Sequence, residues 1–271
     1  MDIEGKVAVV TGAGSGIGRA LGIALAAAGA RVIISDIDGD RAEQTAGIIA
    51  ANGHAALARQ ADASADGDIA DLIASAAAEF GPVDIYVANA GVGGAPGLVI
   101  PERDWDLAFD VNVRAHIRAA TQLVPLWVDR GGGYFVSVAS AAGLLTQLGA
   151  AAYAVTKHAA LGFAEWLSIT YGNVGIGVSC LCPMGVDTPL LTELRESPEP
   201  DARLAGLAVT AAGNVLDPDQ VAALTLDAVR ENKFLVLPHP EVLDMYRMKG
   251  ADYDGWIAGM RRYRGRLVAD G

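Results

Sequence analysis

The chain reads as a single α/β domain: a doubly wound parallel sheet of about seven strands, with helices on both faces. Three observations predict this. Apolar runs of strand length alternate with helical patterns from residue 7 onward, the signature of consecutive βαβ units. The first such strand runs directly into a glycine-rich turn that opens a helix. No internal repeat or linker divides the 271 residues, so 1–271 is taken as one domain, long enough to bury most of what its unfolded chain exposes.

The elements follow in order. V-A-V-V (7–10) is the first strand and 17–28 the first helix; V-I-I-S (32–35) is the second strand and 41–51 the second helix. A weak strand at 55–58 precedes a helix over 68–80, and a strand at 83–88 precedes a longer helix over about 102–128. A strand at 134–139, a helix over 150–171 and a strand at 177–182 complete six strands. Residues 188–216 lack a strand pattern and are rich in Pro, Glu and small apolar residues. A helix over 217–231 carries Pro218 in its favoured first turn, and F-L-V-L (234–237) is the last strand. The tail, 240–271, reads as one or two amphipathic helices, with Tyr246, Trp256, Ile257, Met260 and Tyr263 offering an apolar side suited to a subunit contact.

Composition narrows the function. Hydrophobic residues at 52%, charged residues at 19% and 33 unperiodic glycines describe a globular chain. A net charge of −12 opposes binding to a phosphate backbone, so nucleic acid is excluded as a partner. The longest apolar run, 20–30, is too short to span a bilayer, and the acidic start lacks the pattern of a secretory signal; a soluble, cytoplasmic protein is expected. Cys180 and Cys182 share one strand face and cannot readily bridge, and His54, His116, His158 and His239 are dispersed, so no metal is expected.

Two features carry chemistry. In T-G-A-G-S-G-I-G (11–18), Gly12, Gly16 and Gly18 allow a tight turn and close approach of a pyrophosphate, whose charge a helix N-terminus stabilises. The second strand ends at Asp36, eighteen residues beyond Gly18, where a dinucleotide-binding Rossmann fold carries its ribose-reading acid. That carboxylate accepts from both ribose hydroxyls and repels a 2′-phosphate, which favours NAD over NADP. Ser15 and Ile37 stand where a phosphate-binding cation would be sought, while Arg19 and Arg41 are the cations that would spoil the preference. The second feature is Tyr153 and Lys157, four apart on one helical face, with Ser140 thirteen residues upstream of the tyrosine. A lysine charge beside a phenol favours the phenolate, and for Tyr153 to exchange protons near neutral pH its pKa must fall by roughly 2 to 3 units from about 10.

Together these motifs resemble the short-chain dehydrogenase/reductase superfamily from Lys6 to about Leu237. The glycine turn matches that family's cofactor turn, with Ser15 and Ile17 among its residues. A-D-A (61–63), with Asp62 and Ala63, is similar to the adenine-contacting segment, and A-N-A-G (88–91), with Asn89, Ala90 and Gly91, to the fourth-strand motif. V-N-V (111–113) supplies Asn112 of a tetrad, V-A-S-A-A-G (138–143) Ser140, and Y-A-V-T-K Tyr153 and Lys157. P-M-G-V-D-T (183–188) resembles the loop that holds the nicotinamide carboxamide through Pro183, Gly185, Val186 and Thr188. Each residue also has a plainer reading: Asp62 as a turn residue, Asn89 as a strand joiner, Asn112 as a bend-stabilising helix residue, Val186 and Thr188 as loop residues.

The resemblance implies NAD as cofactor and interconversion of a secondary alcohol and a ketone. Tyr153 is then acid/base, Ser140 holds the substrate oxygen, Asn112 anchors a water, and residues 1–183 serve mainly the cofactor and the tetrad. The chain departs from the family in placing Met184 before the loop glycine, where it either shifts the nicotinamide or lines the substrate cleft. The cleft is expected between 91–97, 143–147 and the substrate loop 184–216, with Leu144, Leu145, Met184, Leu190, Leu191 and Leu194 making it apolar. An apolar substrate is expected, and a homotetramer or homodimer through the two long helices. The rival readings are an NADP-dependent carbonyl reductase and a non-catalytic NAD-binding sensor, the second opposed by the complete tetrad.

Overall fold

A computed structural model describes residues 1–270. Seven parallel strands form one sheet in the order β3-β2-β1-β4-β5-β6-β7. They are β1 (Val7–Thr11), β2 (Arg31–Asp36), β3 (Ala56–Gln60), β4 (Ile85–Ala88), β5 (Gly133–Val138), β6 (Ile176–Leu181) and β7 (Leu235–Val236). Successive strand residues point to opposite faces. Thus Val9 and Ile33 pack beneath α3 (Asp66–Glu79), α5 (Ala115–Asp129) and α6 (Ala151–Tyr171), whereas Val10 and Ile34 pack beneath α1 (Gly16–Ala27), α2 (Gly39–Ala51) and α9 (Pro218–Glu231). Leu72, Leu123, Trp127 and Leu167 close the first face, and Leu21, Leu25, Ile49 and Val229 the second.

Local chemistry sets the helix ends. The Asp38 side chain accepts from Arg41 N and starts α2, and Asp217 with Gln220 forms a capping box that starts α9 at Pro218. Asn232, in the left-handed region at φ 53°, ends α9. The predicted absence of strands in 188–216 holds: α7 (Pro189–Glu196) and α8 (Pro200–Thr210) occupy the segment. The tail forms α10 (Glu241–Ala251) and α11 (Tyr253–Asp270), and Tyr263 Oη donates to Ala208 O of α8 at 2.9 Å.

One expected helix forms with a local departure inside it. The helix expected over 102–128 is α4 (Glu102–Phe109) and α5 joined by a π-helical turn, Asp110–Arg114. The extra residue in that turn brings Asn112 fully inside, at 0% exposure. Its Oδ1 accepts from Val92 N at 2.9 Å, while Nδ2 donates to Val92 O at 2.9 Å and to Thr156 Oγ1 at 3.0 Å. Those tertiary bonds favour the bulge, and periodicity along one helix carries no trace of them.

Candidate active site

The strand order reverses direction between β1 and β4, and the segments leaving the carboxyl ends of β1 to β6 enclose a cleft of about 480 Å³. At its cofactor end lies the glycine turn. Gly12 has φ 61°, and a Cβ there would sit 2.8 Å from Ala90 Cα; at Gly18 a Cβ would collide with Gly12 O. Ser15, at the N-cap of α1, makes no side-chain capping bond, so the first helical NH groups remain open to an anion. Glycine cradle and open helix start fit a pyrophosphate.

Asp36 lines the same cleft, with Oδ2 accepting from Gly14 N at 2.8 Å and Oδ1 from Asp38 N at 3.0 Å. Each carboxylate oxygen keeps a lone pair beyond these bonds. The two arginines that would spoil a preference for NAD stand at the same corner as Asp36 and already have protein partners. Arg19 donates to Thr45 Oγ1 at 3.1 Å and to Gly14 O, and Arg41 pairs with Asp38 at 3.1 Å. Gly16, Ile17, Ile37, Asp62, Ala63, Asn89, Ala90 and Gly91 line the cleft as well. Asn89 does join strands: its Nδ2 donates to Thr11 O at 2.8 Å and Gly12 O at 3.1 Å. Asp62 also closes a turn, accepting from Ser64 N at 2.8 Å.

At the other end, Ser140 follows β5 and Tyr153 and Lys157 stand one turn apart on α6. Ser140 Oγ accepts from Ala142 N at 3.1 Å and donates to Pro183 O at 3.5 Å. Lys157 Nζ lies 5.6 Å from the Tyr153 ring centroid and donates to Val138 O at 2.9 Å. The lysine is 3% exposed, so desolvation governs its charge. Burial pushes Lys157 down to about 8, with Cys180 and Cys182 drawing it back up. Burial also pushes the Tyr153 phenol above its ordinary value, opposed by the Ser140 hydroxyl and aided by Cys182. The Lys157 charge is thus not enough by itself to make the phenol acidic. Removal from water outweighs a cation that is itself poorly solvated, and ionisation near neutral pH needs further positive charge beside the phenol.

Asn112 does not line the cleft; it sits behind, where a Cβ on Gly91 would be 3.3 Å from its Oδ1 and 3.4 Å from Lys157 Nζ. Both of its amide hydrogens are taken by protein groups, which leaves one lone pair of Oδ1 for the water expected there. Gly185 also faces away, its carbonyl accepting from Leu216 N at 2.9 Å, while Pro183, Val186 and Thr188 line the cleft. Met184, Leu190, Leu191 and Leu194 border it, so Met184 takes the second of its two expected places. Leu144 and Leu145 do not. The short helical turn Ala141–Gly143 directs them into the core at 3% and 8% exposure, a direction that sequence spacing does not encode.

Sequence reading missed two side chains. His239 is buried, accepts from Met184 N at Nδ1 (3.1 Å) and donates from Nε2 to Gly185 O and Asn214 O (3.1 Å each), which braces the loop. P-H-P at the end of the last strand was its only sequence signal. Gln147 faces the cleft from the stretch before α6.

The family description short chain dehydrogenase matches residues 6–199, which include all four tetrad residues. The chain belongs to the short-chain dehydrogenase family. A 1-deoxy-11-beta-hydroxypentalenate dehydrogenase of Streptomyces avermitilis is 38% identical over 194 residues, covering 70% of this short-chain dehydrogenase chain and 72% of that protein. A cyclohexanol dehydrogenase of an Acinetobacter species is 32% identical over 71% of the chain and 77% of its own length. The crystal structure of a short-chain dehydrogenase/reductase from Burkholderia phymatum in complex with NAD superposes with a TM-score of 0.85 at 31% identity, covering 94% of this chain and 96% of that one. Relatives named as dehydrogenases over this span make the short-chain dehydrogenase described here an oxidoreductase with the family's seven-stranded fold. Among its described residues no helix is long and apolar enough to cross a membrane.

Proposed function

We propose that the protein is an NAD-dependent oxidoreductase that interconverts an apolar secondary alcohol and its ketone, with Tyr153 as acid/base. The observation that supports this best is the meeting of Ser140, Tyr153 and Lys157 with the glycine turn and Asp36 in one cleft. Gly12, Ser15 to Gly18 and the α1 N-terminus would hold the pyrophosphate, Asp36 the adenine ribose, and Pro183, Val186 and Thr188 the nicotinamide end. When bound, NAD+ supplies the hydride acceptor and a positive charge near the phenol.

The residues of this chain do the rest. Tyr153 Oη takes the substrate hydroxyl proton during oxidation and returns it during reduction. Ser140 Oγ hydrogen-bonds the substrate oxygen and keeps it within reach of the phenol. Lys157 stabilises the phenolate, and Asn112 holds Val92 and α6 in the geometry that this requires. Leu190, Leu191, Leu194 and Met184 favour an apolar body around the reacting carbon, in keeping with the cyclohexanol for which one relative is named. A homotetramer or homodimer would cover the exposed apolar side of α5 and α6, where Leu126 is 55%, Trp166 53% and Ile169 81% exposed; light scattering tests it.

The central test is a panel of alcohols and ketones followed by NADH absorbance, with wild type and Tyr153→Phe side by side. The variant is expected to bind NADH and lose at least about 10²-fold in turnover. A near-normal rate in the variant removes Tyr153 from its role, and a best substrate that is a polyol or sugar removes the apolar reading.

A further inference from the structure

The substrate half of the cleft is walled by Leu107, Leu190, Leu194 and Val209, and Gln147 is the amide side chain set among them. That amide cannot rotate freely. Its Nε2 donates to Leu148 O at 3.3 Å and to Ala205 O, on α8, at 3.1 Å, which uses both hydrogens. Turning the amide over would set Oε1 against two carbonyl oxygens, so the acceptor end is fixed as an acceptor. Among the described residues no group donates to Oε1, and the oxygen is not among the sealed unpaired polar atoms of the interior.

The backbone that presents this side chain is strained. Thr146, the residue before it, has φ 113°, a conformation that a β-branched residue adopts only when the surroundings enforce it. Three residues on, Gly149 has φ 74° and lies so close to α8 that a Cβ there would collide with Asp201 O. The strand-to-helix connection is packed against α8, and it holds the Gln147 amide in a defined orientation on the cleft lining. Core packing alone requires neither the strain nor the acceptor.

We infer that Gln147 sets specificity: Oε1 accepts a hydrogen bond from a second donor on the substrate, a hydroxyl or NH away from the reacting carbon. This rests on the alcohol/ketone reading above and narrows its substrate class to apolar ketones or alcohols that bear one additional donor. An ether or carbonyl in the same place meets an oxygen that cannot donate, and is rejected.

Matched ketones test this: cyclohexanone, its 3- and 4-hydroxy derivatives and their methyl ethers, together with a ketosteroid carrying a hydroxyl and the corresponding methyl ether. Each is assayed for kcat/KM with NADH in wild type, Gln147→Leu and Gln147→Met, after NADH binding has been verified for every protein. Wild type is expected to favour the hydroxy member of at least one pair by about tenfold, the worth of one good hydrogen bond. In the variants that hydroxy-to-methoxy ratio is expected to fall to near one. A wild type without such a preference, a preference that survives in either variant, or an equal loss on hydroxy and methoxy members overturns the assignment of Gln147. Failure of wild type to reduce any ketone, parents included, overturns instead the reaction on which the inference stands.

Discussion

Replacing Lys157 by methionine separates the stability cost of the site from its chemistry. The lysine is 3% exposed and its pKa is pushed down to about 8 by burial, against an ordinary value of 10.5. Between these values the unfolded chain binds the proton and the folded chain does not. Stability therefore rises with pH across the window, by about 1.4 kcal/mol per unit. Below about 8 both states are protonated and the folded protein carries the full cost of a buried ammonium; above about 10.5 that cost is gone. Over the whole window the gain is about 3 kcal/mol. Methionine has a similar length and no charge, so the variant lacks this dependence. It does leave Val138 O without its donor, a constant loss that does not vary with pH. The measurement is urea unfolding of both ligand-free proteins at 25 °C from pH 7 to 9.5. The difference, wild type minus variant, is expected to climb by about 2 kcal/mol, with most of the rise above pH 8. Groups that Lys157 does not influence cancel in the difference, and the raised Tyr153 lowers stability only above about pH 10, outside the measured range. A flat or falling difference would refute the reasoning, since it would mean that Val138 O and the Cys180 and Cys182 pair fully offset the burial of the ammonium.

Three further outcomes are expected. Asp36→Ala should erode discrimination against NADP(H) by about tenfold or more in Kd, measured by cofactor titration; wild type binding NADP(H) more than tenfold tighter than NAD(H) would contradict the role given to Asp36. Asn112→Ala should lower stability by about 1–3 kcal/mol, because Val92 and Thr156 lose their buried partner, and an unchanged denaturation midpoint would count against that brace. Thr146→Gly should raise stability by about 1 kcal/mol by relieving the φ of 113°, provided the native turn persists. A lower melting temperature in that variant would show that the threonine side chain contributes more than its backbone strain costs.

The fold was largely legible because its signals are local. Strand and helix periods, the glycine turn, the Asp217 cap and the Pro218 start each act within a few residues, and together they specified seven strands in one doubly wound sheet. The placement of the candidate residues was legible for a similar reason: Tyr153 and Lys157 are one helical turn apart, and Asp36 ends the strand that the turn's helix leads into. Motif spacing also placed Pro183, Val186 and Thr188 on the cleft correctly.

What failed depended on distant partners. The π turn at Asn112 forms because Val92 and Thr156, 20 and 44 residues away, take its amide. Leu144 reads like any cleft leucine until a short helical turn sends it inward, where its carbonyl meets Lys249, 105 residues along the chain. The sequence also assigned Lys157 a positive charge without the burial that weakens it, since desolvation is a property of the folded surroundings rather than of neighbours four residues away. By itself the sequence determined the strands, the glycine turn and the helical spacing of Tyr153 and Lys157. Tertiary structure alone decided how deeply Lys157 is buried, which side chains wall the cleft, and that Leu148 and Ala205 hold the Gln147 amide, because burial and long-range hydrogen bonds exist only once the chain has closed on itself.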